Sequence, residues 1–178
     1  MALSRKQRVF GGILIVIIIA AVGAGAWWLV TQRQTQTAQD KALTQLTGRD
    51  SAAWGQRTTA AQNFLAKHDT NGGLAYYRQL IQRAGNQDDK LSLLLEAAQF
   101  AVSSKQYDAA LGFVDQADAI RKTTGAAVER AMIYEAKGDK TAAIAQYRAA
   151  ITLAQSDKNG LSGRYVDQWQ AKITELSQ

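Results

Sequence analysis

The sequence predicts an all-α protein: an N-terminal transmembrane helix, a short array of helical hairpins and a C-terminal helix that covers the last hairpin. Three observations lead there. Residues 10–30 form one apolar run, small and aromatic residues recur at a fixed spacing, and the chain contains neither proline nor cysteine. Proline breaks helix interiors, so its absence favours helix. The lack of cysteine excludes disulfides, thiolate metal sites and a cysteine nucleophile.

The apolar run is long enough for a membrane helix. No charged residue lies between Arg8 and Arg33. At ~1.5 Å rise per residue, residues 10–30 would span roughly 30 Å, which is the hydrocarbon thickness of a bilayer. Trp27 and Trp28 stand near one end of the run, where amphipathic rings favour the membrane interface. We therefore expect a single-pass membrane anchor.

The orientation of the anchor follows from its flanking charges. Basic residues are concentrated in residues 1–9, so the positive-inside rule predicts a cytoplasmic N-terminus in the cell membrane and an extracytoplasmic domain over residues 31–178. A cleaved signal peptide is the alternative, because residues 24–26 read Ala-Gly-Ala. The apolar run continues past that site to Val30, which favours an uncleaved anchor. Both interpretations export the remainder of the chain.

Small and aromatic residues recur three times in the exported part. The order is small, aromatic, small, aromatic, and successive occurrences lie 36 and 34 residues apart. The occurrences are Ala61, Phe64, Gly73 and Tyr77; Ala97, Phe100, Ala109 and Phe113; and Ala131, Tyr134, Ala143 and Tyr147. Small residues let two paired helices approach closely, and aromatic rings fill the space beside that contact. One such pair cannot bury its apolar face alone, so neighbouring pairs stack.

This pattern resembles the tetratricopeptide repeat (TPR) family over about residues 54–157. The units would be residues 54–87, 90–123 and 124–157. None has the proline that usually closes the repeat, and the large residue expected early in the first helix is present only as Leu93. Arg57 and Ala127 stand at the matching positions. The units are therefore degenerate, and a generic array of helical hairpins is the alternative interpretation.

The flanks are consistent with a capped array. Residues 31–53 are polar and predict a stalk or linker helix. Residues 158–178 predict a capping helix, because solenoids need a terminal element over their last apolar face. Its apolar residues occur at helical spacing: Tyr165, Trp169, Ile173 and Leu176.

No motif in the sequence indicates an enzyme or a cofactor site. The single histidine, His68, lies in a predicted turn, and one histidine without cysteine is a poor transition-metal site. Asp88 and Asp89 precede an apolar periodic run, where acidic residues favour a helix start. The glycines form no phosphate loop. The mild positive charge is interspersed with acidic residues, so nucleic acid is not an expected partner.

The TPR resemblance implies a concave groove lined by the first helix of each pair. Its candidate residues are Leu91, Leu94 and Val102 in the second unit and Val128, Met132 and Glu135 in the third. Thr58, Gln62 and Leu65 match them in the first unit. Lysines and asparagines that grip a peptide carboxylate in some family members are missing here. The groove would be largely apolar and would suit a hydrophobic or amphipathic protein segment, unless a flanking helix fills it.

These observations predict a protein–protein interaction module on a membrane anchor. It would serve as a scaffold, an assembly factor or a chaperone-like subunit of a membrane complex. Two alternatives remain from the residues alone. One is a secreted soluble binding protein, if the chain is cleaved near Ala26. The other is a structural membrane protein that self-associates into a homo-oligomer.

Overall fold

The computed structural model describes residues 36–38, 40–156 and 164–178. The predicted transmembrane helix at residues 10–30 and the basic segment at residues 1–9 lie outside the described residues. Among the residues that are described, no helix combines the length and the apolar character needed to cross a membrane. The chain divides into two compact units, Met1–Ala42 and Leu43–Gln178.

The second unit consists of seven long helices within the described ranges. They are α1 (Ser51–Ala66), α2 (Thr70–Arg83), α3 (Gln87–Ser103), α4 (Tyr107–Ile120), α5 (Thr124–Lys137), α6 (Lys140–Ser156) and α7 (Val166–Leu176). Residues 36–38 and 40–45 are also helical, and no strand occurs in the described part of the chain. The all-α prediction is therefore confirmed.

Side-chain caps explain where most of these helices begin. Each cap accepts a hydrogen bond from a backbone N–H in the first turn, at 2.8 to 3.1 Å. This satisfies one of the amide groups that a helix start leaves without an internal partner. The caps are Asp50, Asp69, Asn86, Thr123 and Asp139. Because short polar residues cap helices locally, these boundaries are readable from sequence.

The turn inside each hairpin uses one residue in the left-handed backbone region. His68, Lys105 and Gly138 have φ angles of 54°, 58° and 84°. The three residues occupy corresponding places after α1, α3 and α5. Glycine adopts this conformation without steric cost, and histidine is among the residues that tolerate it. The single histidine of the chain is thus a turn residue.

The helices pack as three successive hairpins, α1–α2, α3–α4 and α5–α6, followed by α7. Each helix contacts the next one along the chain, and α3 also contacts α5. The first helices of the second and third hairpins are therefore neighbours on one side of the array. Helix α7 packs against α6 and buries Ile173 there.

The main core lies between α2 and α5, and its fully buried large side chains include Leu80, Leu93, Val114 and Ile133. A second cluster joins the third hairpin to α7 through Ala131, Tyr147 and Ile173, with Trp169 and Leu176 at its edge. Each hairpin thus buries its apolar face against a neighbour, as expected for stacked units.

Most of the recurring small and aromatic residues are buried, with one shift. Ala97, Ala131 and Ala143 have no exposed surface. In the second hairpin, the fully buried residue is Ala110, whereas Ala109 is half-buried. Gly73 is buried against the ring of Phe100, and a Cβ at this position would overlap that ring. Any side chain at this contact between α2 and α3 would require the Phe100 ring to move.

The packed unit begins earlier than the predicted first repeat. Helix α1 starts at Ser51, within the predicted stalk, and α3 starts at Gln87, before the predicted second unit. Leu43 and Leu46 pack against the main core, and Thr47 is buried. Residues 31–53 are predicted as the stalk, and their C-terminal part, from Leu43 onwards, therefore belongs to the folded unit.

Candidate functional site

An elongated depression follows the side of the array formed by the first helices of the hairpins. It consists of two adjoining hollows of about 740 Å³ and about 210 Å³, and Gln99 and Ser103 line both. We call this depression the inner groove. Most of its lining residues come from α1, α3, α5 and α7, with Tyr77 of α2 and Tyr147 of α6, so it touches every hairpin and the C-terminal helix.

Four of the predicted groove residues meet in the larger hollow. Val102, Val128, Met132 and Glu135 all line it. Met132 is 49% exposed, which is high for an apolar side chain of this size. At the other end, the smaller hollow is lined by the matching residues of α1 that the sequence indicated, Thr58, Gln62 and Leu65, together with the exposed Trp54.

Two predicted groove residues lie elsewhere. Leu91 is 8% exposed and Leu94 is fully buried, and both belong to the main core. The reason is the central position of α3, which α2, α4 and α5 cover on several sides. Its leucines therefore face neighbouring helices rather than the groove. We consequently expect Leu94→Asp to unfold the domain rather than to alter a surface.

A buried ion pair joins the first hairpin to the second. Arg57 donates from Nε and Nη2 to the two carboxylate oxygens of Glu96, at 2.7 and 2.6 Å. Its Nη1 donates to the backbone carbonyls of Leu46 and Gly48, both at 2.7 Å. The Arg57 side chain is 2% exposed. One side chain therefore ties α1 to α3 and to the segment before α1.

Glu135 already has two partners inside the protein. It accepts a hydrogen bond from the Tyr147 hydroxyl at 2.9 Å and one from Lys172 Nζ at 3.1 Å. Lys172 also lies 3.2 Å from Glu175. Burial, together with the hydrogen bond to Glu135, raises the pKa of Tyr147 and keeps it neutral. Glu135 thus fastens α7 to α5, and both Glu135 and Lys172 line the larger hollow.

Glu129 is the acidic residue of the groove that lacks a cation. It is 6% exposed and lines the larger hollow. Gln99 Nε2 donates to its Oε2 at 3.1 Å, and within the described residues no lysine or arginine forms a salt bridge with it. Burial raises the pKa of Glu129, and the hydrogen bond from Gln99 opposes that rise. Sequence reasoning did not select this residue.

The other polar residues considered from the sequence have structural roles. Asp88 and Asp89 lie in the first turn of α3, where Arg49 contacts both and Arg121 contacts Asp88. His68 occupies the α1–α2 turn. In the part of the chain that the structure covers, no group of three or more histidine, cysteine, aspartate or glutamate residues is placed to hold a metal ion.

Comparison with known proteins leaves the groove as the principal guide to function. The chain matches no protein-family model, no curated protein and no solved structure. Function is therefore inferred from the residues of the groove and from the chain that precedes them.

Proposed function

We propose that this protein is a membrane-anchored, extracytoplasmic TPR-like module that binds a protein partner in the inner groove. It would act as a scaffold, an assembly factor or a chaperone-like subunit of a membrane complex. One observation carries the proposal most: two adjoining hollows, which share Gln99 and Ser103, extend from α1 past α3 and α5 to α7. An elongated groove of this kind suits an extended or helical protein segment better than a compact small molecule.

The chemistry of the groove supports a protein partner. The larger hollow exposes Met132 beside Val102 and Val128, and Trp169 forms part of its wall. Methionine adapts its shape to different apolar surfaces, and an apolar groove between helices is a common site for an amphipathic helix. Trp54, 55% exposed at the other end, offers a second apolar anchor.

The hairpin geometry supports the TPR resemblance. Three hairpins of similar helix length follow one another, and each has a left-handed turn residue at the corresponding place. The small residues Gly73, Ala97, Ala131 and Ala143 are buried at helix contacts. Buried Arg57 replaces the large apolar residue of the family pattern, and its charge is balanced by Glu96.

The location of the domain can be tested by cysteine labelling, because the natural chain contains no cysteine. Ser4→Cys marks the basic N-terminus, and Thr141→Cys marks an exposed position on α6. A membrane-impermeant maleimide applied to intact cells should label only Thr141→Cys. Labelling of Ser4→Cys alone, or of neither variant before lysis, would refute an extracytoplasmic domain. The size and N-terminal sequence of the mature chain separate an anchor from a cleaved signal.

Partner binding can be tested by photo-crosslinking in intact cells. A photoreactive residue at Met132 faces the groove, whereas one at Ala119 is exposed on the outer helix α4. We expect a discrete set of proteins to crosslink from position 132 and not from position 119. Crosslinks that are identical from both positions would reject the groove. Recovery of this chain alone would instead indicate self-association.

A further inference from the structure

The three glutamates of the inner groove differ in how their charges are compensated. Glu96, Glu129 and Glu135 line the inner groove or its floor. Arg57 neutralises Glu96, and Lys172 neutralises Glu135. Glu129 is the most deeply buried of the three, and its hydrogen-bond partner among the described residues is the neutral Gln99.

A buried carboxylate without a cation lowers the stability of an isolated protein. A buried charge loses its hydration, and proteins normally compensate with an opposite charge or with several hydrogen bonds. One amide hydrogen bond compensates only in part. The consequence is visible in the direction of the Glu129 pKa, which burial raises. A cation that entered the hollow would supply the missing compensation.

We propose that the partner of the inner groove presents a lysine or arginine, flanked by apolar side chains, and that this cation pairs with Glu129. The proposal rests on the proposed function and adds the chemistry of the partner. The occupant is a segment of a separate protein. Its apolar residues would lie on Val102, Val128 and Met132, which line the same hollow as the carboxylate.

The position of Glu129 favours specificity as well as affinity. It lies on α5 and is held by Gln99 of α3, at the junction of the second and third hairpins. An apolar groove alone accepts many hydrophobic segments. A buried carboxylate discriminates among them, because a segment without a cation leaves the charge unpaired on binding.

Selection from a library of random peptides tests the proposal. The bait is the full-length chain purified in detergent, and the variant is Glu129→Gln, which keeps the shape of the side chain and removes its charge. The matched control is Asp108→Asn, which removes one carboxylate from an exposed pair with Lys137 outside the groove. The wild type and the control should select peptides in which a basic residue lies between apolar residues. Glu129→Gln should select peptides without this basic preference.

Binding of one selected peptide then measures the pair directly. Replacing its basic residue by glutamine should weaken binding to the wild type by about thirtyfold or more, as for other buried charge pairs. The same replacement should have little effect on Glu129→Gln, and this difference isolates the pair.

The remaining outcomes overturn the proposal in distinguishable ways. One outcome is that the wild type selects apolar peptides without a basic preference and that Met132→Asp no longer selects them. This would reject the pairing of a cation with Glu129 and leave groove binding intact. The absence of any selected peptide would reject the cation and count against groove binding as well. Enrichment of peptides that match an extracytoplasmic segment of this chain would reassign the occupant to the protein itself.

Discussion

The first and third hairpins build similar shapes from different contacts. In the third, Ala131 and Ala143 are fully buried, so α5 and α6 approach closely. In the first, α1 and α2 make fewer contacts with each other, and Arg57 is buried beneath them. The third hairpin is therefore held by close packing of small residues, whereas α1 of the first is fastened by a polar clamp to α3 and to the segment before α1.

This difference shows that position within a repeat does not determine chemistry. Arg57, Leu93 and Ala127 occupy matching places, and all three are buried. The arginine is accommodated because Glu96 and two backbone carbonyls lie within hydrogen-bonding distance. A buried polar clamp depends strongly on each of its partners, whereas alanine packing depends on volume. The two hairpins should therefore respond differently to substitution.

The largest expected effect is the loss of the clamp. Arg57→Ala leaves Glu96 with an uncompensated charge and should lower the free energy of unfolding by about 3–5 kcal/mol. Urea unfolding of the full-length chain, followed by circular dichroism in detergent, measures this. Arg130→Ala in the third hairpin is the comparison and should cost less, because Arg130 is more exposed than Arg57 and both of its partners, Asp115 and Asp118, keep contact with water. Equal effects of the two substitutions would remove the distinction between the hairpins.

A larger side chain at Ala143 should test whether α5 and α6 are in close contact in the third hairpin. Ala143→Leu inserts a large side chain where no surface is exposed and should cost about 1–3 kcal/mol. Ala149→Leu, at an exposed position of the same helix, is the control and should change stability little. An unchanged urea midpoint for Ala143→Leu would show that α5 and α6 have room between them.

Gly73 is the position of the first hairpin that matches Ala143, and its replacement should have a smaller effect on stability. Gly73→Ala gains helix propensity, but the new methyl group overlaps the Phe100 ring, so we expect a net loss of about 1 kcal/mol. Gly55→Ala in α1 meets open space and should instead gain about 0.5–1 kcal/mol. Opposite shifts in melting temperature would support this assignment. Stabilisation by both substitutions would contradict it.

Glu129→Gln should slightly raise the free energy of unfolding, by an amount that depends on pH. Burial raises the folded-state pKa of Glu129 above the ordinary 4.5, so the folded protein holds this proton more tightly than the unfolded chain. The contribution of the group to stability is thus greatest below the ordinary value and falls as pH rises through the raised one. The variant should be more stable than the wild type at pH 7, and the difference should shrink as the pH falls to the ordinary value of 4.5 and below. A difference that is independent of pH would contradict a buried charge.

Local signals explain which parts of the fold were predictable. Asp50 and Asp139 cap helices through side chains that reach only their own first turn, and Gly138 ends α5 with a left-handed φ. These preferences act within a few residues, so the sequence displays them directly. The spacing of small and aromatic residues likewise indicated paired helices before their packing was known.

The groove was predictable only in part. Val102, Val128 and Met132 follow from matching the hairpins in register, and they do line one hollow. Leu91 and Leu94 fit the same register but lie in the core. Helix α3 is apolar over most of its circumference, so its periodicity cannot distinguish a groove-facing leucine from one that faces a neighbouring helix.

By itself, the sequence determined the all-α class, the hairpin turns and the helix caps, because each depends on neighbouring residues or on a short period. The tertiary structure alone decided which charges meet. Arg57 and Glu96 lie 39 residues apart, and Gln99 and Glu129 lie 30 apart. No local preference links such residues. Only the stacking of hairpins brings an arginine to one buried glutamate and leaves the other, Glu129, without a cation.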